Sequence, residues 1–371
     1  MAGTRKELKT AEILFFLVLF VIRFRVNCLN CLSQDNEPID WFIAYKLPGS
    51  EKDVPKNSFF YMDAKSPAWT LSPKTLEEKD QAIYNTLNQI YRKQSHVKPK
   101  NVSSHTGELL YLMYNDEGPE HKSEGHGHTK GVIAFDSKNG FWLVHSTPKF
   151  PPSGSEGYSW PSSADIYGQS FLCISMETEG NVNEIGHQLL FNYPYIYDKN
   201  IPSFASRYPN MTDALKGKHV TEEPWYRETK LTSTSGVVFH SFAKYSKFNA
   251  DLYSDMLAPR FESTLLVETW QNGRGKMCSN CTGKYKVFNI ATLDFKQRGM
   301  MFKETQDHSK WVVTNSTTNV WTCIGDINRQ MSQMERPGGT VCFQNKSVWQ
   351  NFHNLIILCH NCGPYKKCIS P

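Results

Sequence analysis

The stretch Gly127–Phe135, GHTKGVIAF, and its distant echo Asp307–Val313, DHSKWVV, decide how this chain is read. In each, a His-x-Lys stands at the head of an apolar run of strand character. Gly131–Phe135 is followed by a polar turn at 136–140 and a second apolar run, Phe141–His145, which together spell a hairpin. Trp311–Val313 is followed by a polar turn at 314–319 and by Val320–Ile324, a second hairpin. Ser146 lies eighteen residues after His128, and Asp326 lies eighteen residues after His308, with Asn328 two further on. Side chains at i and i+2 of an extended strand share a face, so each His projects with its Lys. The hairpin return then brings Ser146, or Asp326 and Asn328, beside them.

Working outward, strands are expected at 39–47, Tyr61–Trp69, Leu109–Tyr114, Phe171–Met176, Gly236–Phe242 and Leu265–Trp270. The apolar spacing of Leu76, Ile83, Leu87, Ile90 and Tyr91 predicts a helix over 76–93, and Asp251–Leu257 is a shorter helical candidate. Residues 147–165 are rich in Pro, Ser and Gly and read as a long surface loop, whereas 181–218 yields no clear pattern. A weak composition shift over 195–225 divides the chain into 29–215, with the first His-x-Lys, and 216–371, with the second.

With 371 residues, 39% hydrophobic and 13% aromatic, the chain has ample material for a packed core and is too apolar to be disordered. Lys+Arg exceed Asp+Glu by 41 − 36 = 5, which excludes a polybasic tail of the histone type. Twelve histidines add positive charge in acid. Residues 1–28 read as a signal peptide: Arg5, Lys6 and Lys9 precede the ten-residue apolar run Ile13–Ile22, and Arg23 and Arg25 keep an uncleaved anchor as the alternative. No later run is long enough to span a bilayer, so no membrane contact is expected after signal removal. Export agrees with five glycosylation sequons, at Asn101, Asn210, Asn280, Asn315 and Asn345, and with ten cysteines. Three Cys-x-x-Cys pairs (28/31, 278/281, 359/362) would suggest zinc in the cytosol; behind a signal peptide they favour disulfides. Cys323 and Cys342 bracket a polar, Gly-containing stretch that reads as a stapled loop.

Two imidazole–ammonium couples suit phosphodiester chemistry. A neutral imidazole attacks phosphorus, a second imidazolium protonates the leaving oxygen, and two lysines neutralise the nonbridging oxygens. Ser146, Asp326 and Asn328 would position the phosphate, and His145 would support the site. No metal-ligand spacing stands out, so no metal or other cofactor is expected. One imidazole must be neutral and one charged. Close lysines lower both pKa values, so the rate is expected to peak below pH ~6.

Gly127-His128-Thr129-Lys130-Gly131 and Asp307-His308-Ser309-Lys310-Trp311 resemble the two signature motifs of the deoxyribonuclease II family. The likeness continues, in order, through Asp40-Trp41-Phe42, Tyr45-Lys46-Leu47-Pro48, Tyr114-Asn115-Asp116, Gly140–Ser146, Tyr167-Gly168-Gln169-Ser170, Phe242-Ala243-Lys244 and Trp321–Asp326. The resemblance implies a mixed α/β fold of two pseudo-symmetric halves like those of phospholipase D, each a sheet with flanking helices, sharing one active-site cleft. It implies a lysosomal or secreted acid endonuclease that cuts double-stranded DNA without metal, leaving 3′-phosphate and 5′-hydroxyl ends, and that degrades DNA of apoptotic or engulfed cells. By the family, His128 is the nucleophile, His308 the general acid, and Lys130 and Lys310 hold the phosphate. It also implies disulfides Cys31–Cys173, Cys323–Cys342, and Cys281 with one of Cys359, Cys362 or Cys368; Cys28 and Cys278 depart from the pattern. Lys216, Lys218, Lys244, Lys247 and Arg329 are candidate phosphate contacts. The alternatives are a phosphodiesterase of this scaffold acting on lipid or RNA, and an inactive secreted binding protein. The oligomeric state is left open, a homodimer included.

Overall fold

The computed structural model describes residues 29–94, 108–272, 274–296, 300–360 and 362. The expected signal segment, Asn101, Cys28 and Cys368 lie outside the described residues.

After a short ribbon of β1 (Cys31–Leu32) and β2 (Pro38–Ile39), two large sheets form. The first contains β3 (Trp41–Lys46), β4 (Ser58–Asp63), β5 (Thr70–Thr75), β6 (Leu110–Asn115), β7 (Lys130–Phe135), β8 (Asn139–His145), β9 (Gln169–Glu177) and β10 (Ile196–Asn200), in the order β10-β6-β7-β8-β9-β3-β4-β5. The second contains β11 (Tyr226–Thr232), β12 (Val238–Lys244), β13 (Leu265–Glu268), β14 (Val287–Asp294), β15 (Met301–Lys303), β16 (Trp311–Thr314), β17 (Trp321–Gly325), β18 (Gly338–Gln344) and β19 (Ile356–His360). Its order is β11-β12-β18-β17-β16-β13-β14-β15, with β19 on β14. The five central strands follow one plan. β6-β7-β8-β9-β3 and β13-β16-β17-β18-β12 have the same order and the same succession along the chain, and every neighbouring pair in them is antiparallel.

Both faces of the central strands are buried, which is why they read as continuous apolar runs. In β3, Trp41, Ile43 and Tyr45 enter a core shared with Phe239, Trp311, Val313 and Phe343 of the second sheet, so the sheets pack face to face. Phe42 and Ala44 point the other way, toward Ile83, Leu87 and Ile90 of helix α1 (Ala82–Gln94). On the outer face of the second sheet, Leu252, Tyr253 and Leu257 of a π-helical segment and Phe261 of the helix that follows cover Val267 and Val312.

The structure departs from the sequence reading at particular points. The expected strand Tyr61–Trp69 ends at Asp63, whose carboxylate accepts from the N–H groups of Lys65 and Ser66 and turns the chain into β5. The helix expected from residue 76 begins at Ala82, because Gln81 Oε1 accepts from the N–H groups of Ile83 and Tyr84 and fixes the start. The unreadable 181–218 holds α2 (Val182–Asn192), β10 and α3 (Pro209–Leu215). α2 and α3 approach closely at Gly186, where a Cβ would stand 2.2 Å from the Met211 nitrogen. Cys323 and Cys342 are bonded as expected, facing each other across β17 and β18. Cys31–Cys173 and Cys281–Cys362 are also bonded, while Cys278 is free and exposed. No helix among the described residues is long and apolar enough to cross a membrane.

Candidate active site

Each His-x-Lys lies at the N-terminal end of a central strand, the first leading into β7 and the second into β16. Lys130 and Lys310 are buried, and both imidazoles keep a partial opening to solvent. Each motif is held by the other half of the chain. The His128 N–H donates to the Pro337 carbonyl at 2.9 Å, and the His308 N–H donates to the Gly168 carbonyl at 2.9 Å.

Around the first motif the partners are charged. Asp116, just past β6, accepts from Lys130 Nζ through Oδ1 and from Arg336 Nη2 through Oδ2 at 2.9 Å. His128 Nε2 stands 3.9 Å from the same Oδ2. Burial works against the Asp116 carboxylate, but Lys130, His128 and Arg336 outweigh it and hold its pKa well below the usual range. Burial, followed by the charge of Lys130, pushes the His128 pKa well below 6.5, with Asp116 opposing.

Around the second motif the partners are aromatic. The His308 ring stacks on Tyr167 at 3.9 Å and 8°, and Trp270 meets it edge-on at 4.5 Å. Burial, then Lys310 and Lys130, push the His308 pKa far down. Lys310 Nζ donates to the His308 carbonyl. Asp307 accepts from Tyr45 OH and Ser309, which locks the backbone ahead of the imidazole. A cleft of about 330 Å³ opens beside Tyr167, lined also by Ser50, Lys56, Ile166 and Gln306.

The two motifs meet electrostatically. Burial lowers Lys310 to about 7, with the Lys130 charge next in weight; Lys310 in turn depresses His128, and Lys130 depresses His308. Asp326 lies within the field of both lysines, yet burial raises its pKa to about 7. As pH falls Asp326 gains its proton while Lys310 keeps its own, so the local balance moves toward positive charge.

The remaining expected residues divide. Asn328 is buried, and its Oδ1 has no hydrogen-bond partner in this structure. Ser146 is buried but committed, donating to Gln169 Oε1 at 2.6 Å and accepting from the Ser170 N–H at 3.0 Å. His145 is fully buried between Phe150 and Phe171, where burial lowers its pKa to about 3, with Lys130 adding to the effect. Two candidate phosphate contacts are corrected. Lys244 is buried against three backbone carbonyls, and Arg329 is buried against Asp251 and Asn289, because neither cation has a route to solvent. Lys216 is exposed, Lys218 pairs with Asp213 at 2.9 Å, and Lys247 lies over the Trp225 ring. The sequence reading gave no role to Asp116, Tyr167, Trp270 or Arg336. Asp116 and Tyr167 stand in segments that carried the family likeness, but nothing in their spacing ties them to a histidine. Among the described residues no three His, Cys, Asp or Glu side chains gather as a metal-binding set.

Comparison with known proteins identifies the family. A family model described as Deoxyribonuclease II matches residues 30–362. Plancitoxin-1 of Acanthaster planci is 43% identical over 339 residues, which cover 89% of this chain and 91% of that protein. Deoxyribonuclease-2-alpha of Mus musculus is 40% identical over 353 residues, covering 92% and 94%. The crystal structure of yeast tyrosyl-DNA phosphodiesterase overlaps 62% of this chain and 71% of its own at 8% identity, with a TM-score of 0.29.

Proposed function

Since the chain belongs to the deoxyribonuclease II family and is a nuclease of that type, we propose that it is an acid endonuclease cutting double-stranded DNA without a metal ion. The halves 29–215 and 216–371 are read as pseudo-symmetric, sharing one cleft at the two motifs; the common plan of their central strands supports this. The observation that carries the reading is that each histidine is held by the opposite half of the chain, His128 N–H on the Pro337 carbonyl and His308 N–H on the Gly168 carbonyl, which sets the two couples at one junction.

In this reading one imidazole nitrogen, assigned to His128, attacks phosphorus and the P–O5′ bond breaks. His308, as imidazolium, gives its proton to the departing 5′ oxygen. The now neutral His308 then takes a proton from a water that attacks the phosphohistidine. The N–P bond breaks, leaving a 3′-phosphate and a 5′-hydroxyl. Lys130, Lys310 and the Asn328 amide hold the phosphate. Burial and the two ammonium groups disfavour the imidazolium, so the mixed state forms only in acid until a bound phosphate offsets them. A lysosomal or secreted setting and a role in clearing DNA of dying or engulfed cells suit such a profile. The part-exposed sequon asparagines Asn210, Asn280, Asn315 and Asn345 are read as glycan carriers.

The test is cleavage of plasmid DNA at pH 5 in chelator, with end-group analysis and a pH profile. The expected result is 3′-phosphate and 5′-hydroxyl ends and a bell-shaped profile peaking below pH ~6. A chelator-sensitive reaction, or a maximum above pH ~8, contradicts the reading.

A further inference from the structure

Two lysines that take no direct part in this chemistry are buried at matched places. Lys46 ends β3 and Lys244 ends β12, and both are 0% exposed. Lys46 Nζ donates to the carbonyls of Ala164, Asp165 and Tyr167 at 2.9, 2.5 and 2.9 Å. Lys244 Nζ donates to the carbonyls of Gln333, Met334 and Arg336 at 2.8, 2.7 and 2.8 Å. The spacing is the same in both loops: residues n, n+1 and n+3. An ammonium has three N–H donors, and here carbonyls take all three.

The next carbonyl in each loop, n+4, leaves that local set. Gly168 O accepts the His308 N–H, and Pro337 O accepts the His128 N–H. The side chain at n+3 turns toward the same distant motif. Tyr167 stacks on His308, while Arg336 holds the Asp116 carboxylate beside His128. Each loop thus delivers one main-chain contact to the motif of the other half and one side chain, Tyr167 to the imidazole itself and Arg336 to the carboxylate beside it. Its shape is set from beneath by a single buried cation. Removing an ammonium from water is costly unless its donors are well met. Both such sites are placed under the loops that reach the histidines.

We propose that Lys46 and Lys244 are positioning residues, crossed over between the halves: Lys46 sets the placement of His308, and Lys244 sets that of His128. The inference rests on the two-histidine reading above. A displacement of about 1 Å at a reacting group costs on the order of 10²-fold in rate, so loosening a loop should be felt in kcat while phosphate binding by Lys130 and Lys310 persists.

The experiment compares Lys46→Met and Lys244→Met with the full-length protein on DNA and on a nucleoside 3′-nitrophenyl phosphodiester, whose leaving group needs no proton. On DNA each folded variant is expected to lose about 10²-fold in kcat with KM changed by less than about threefold. On the nitrophenyl substrate the loss in the burst of nitrophenolate, which reads the first step alone, should shrink to within about fivefold in Lys46→Met alone, because only that variant misplaces the general acid of that step. A kcat within about twofold of the parent on DNA, or equal losses on both substrates in both variants, overturns the proposal. Should the variants not fold, hydrogen exchange on the unaltered protein decides. The His128 and His308 amides must exchange as slowly as those of β7 and β16, and exchange at exposed-loop rates overturns the clasp. Failure of the underlying reading is distinguishable, since a fully active His308→Ala removes the two-histidine site whatever the lysine variants do.

Discussion

The two His-x-Lys motifs are built on equivalent strands but set in opposite media. Tyr114 pairs with Gly131, one residue past Lys130, and Glu268 pairs with Trp311, one residue past Lys310. Two residues beyond these partners stand Asp116 and Trp270, so one position carries a carboxylate in the first half and an indole in the second. The clasping loops differ in the same sense, with Arg336 on the first motif and Tyr167 on the second. A carboxylate beside His128 favours its charge, whereas rings packed on His308 exclude water from it. A duplicated backbone plan thus sets two like imidazoles in unlike surroundings, so that they can take unlike parts in a reaction needing one acid and one base.

The two motifs form one site only if both histidines are needed. His128→Ala and His308→Ala should each lower kcat by about 10³-fold or more at pH 5, and the double variant should be little worse than the poorer single, as for residues that act as a unit. Plasmid nicking with chelator present reads this out. An additive double variant would mean two separate sites.

Next in size is the charged partner. Asp116→Asn leaves Lys130 and Arg336 without their carboxylate, and breaking a buried pair from one side costs on the order of 3–5 kcal/mol. The Asp116 pKa is depressed by folding, so its contribution is present above the unfolded value of about 3.9 and is lost only as pH falls through the much lower folded value. Denaturant melts should therefore show the same deficit at pH 7 and pH 5. Without the carboxylate the His128 pKa drops further, and the rate optimum moves to lower pH.

The smallest effect sharpens the contrast. Tyr167→Leu removes a stacked ring worth about 0.5–1.5 kcal/mol and admits water to His308. The His308 pKa then rises toward its ordinary value and the rate optimum moves up in pH. Shifts of opposite sign in Asp116→Asn and Tyr167→Leu, measured as kcat/KM against pH, express the asymmetry; shifts of the same sign contradict it.

Much of the scaffold was legible in the residues, and the exceptions have causes. β3, β6 to β9, β16 and β17 lie between two packed faces, so they are apolar throughout and bounded by polar turns. β5, TLSPKT, is a half-exposed edge strand with a proline and carries no such signal. α2 is covered by α3 and by the second sheet, so its apolar residues make no single stripe. The histidine–lysine pairs were readable because both residue types and their offset repeat. Asp116, Tyr167, Trp270 and Arg336 come from four other segments, and only packing brings them to the motifs. Lys244 and Arg329 misled for a related reason. A cation reads as surface until the carbonyls and carboxylates that satisfy it are seen.

Two imidazoles that act in turn on one phosphorus atom leave a stereochemical record. To read it, a DNA phosphorothioate of one configuration is cleaved in heavy-oxygen water, and the configuration of the terminal phosphorothioate is determined. Two successive in-line displacements through a histidine adduct predict overall retention. Inversion would show direct attack by water and contradict the account.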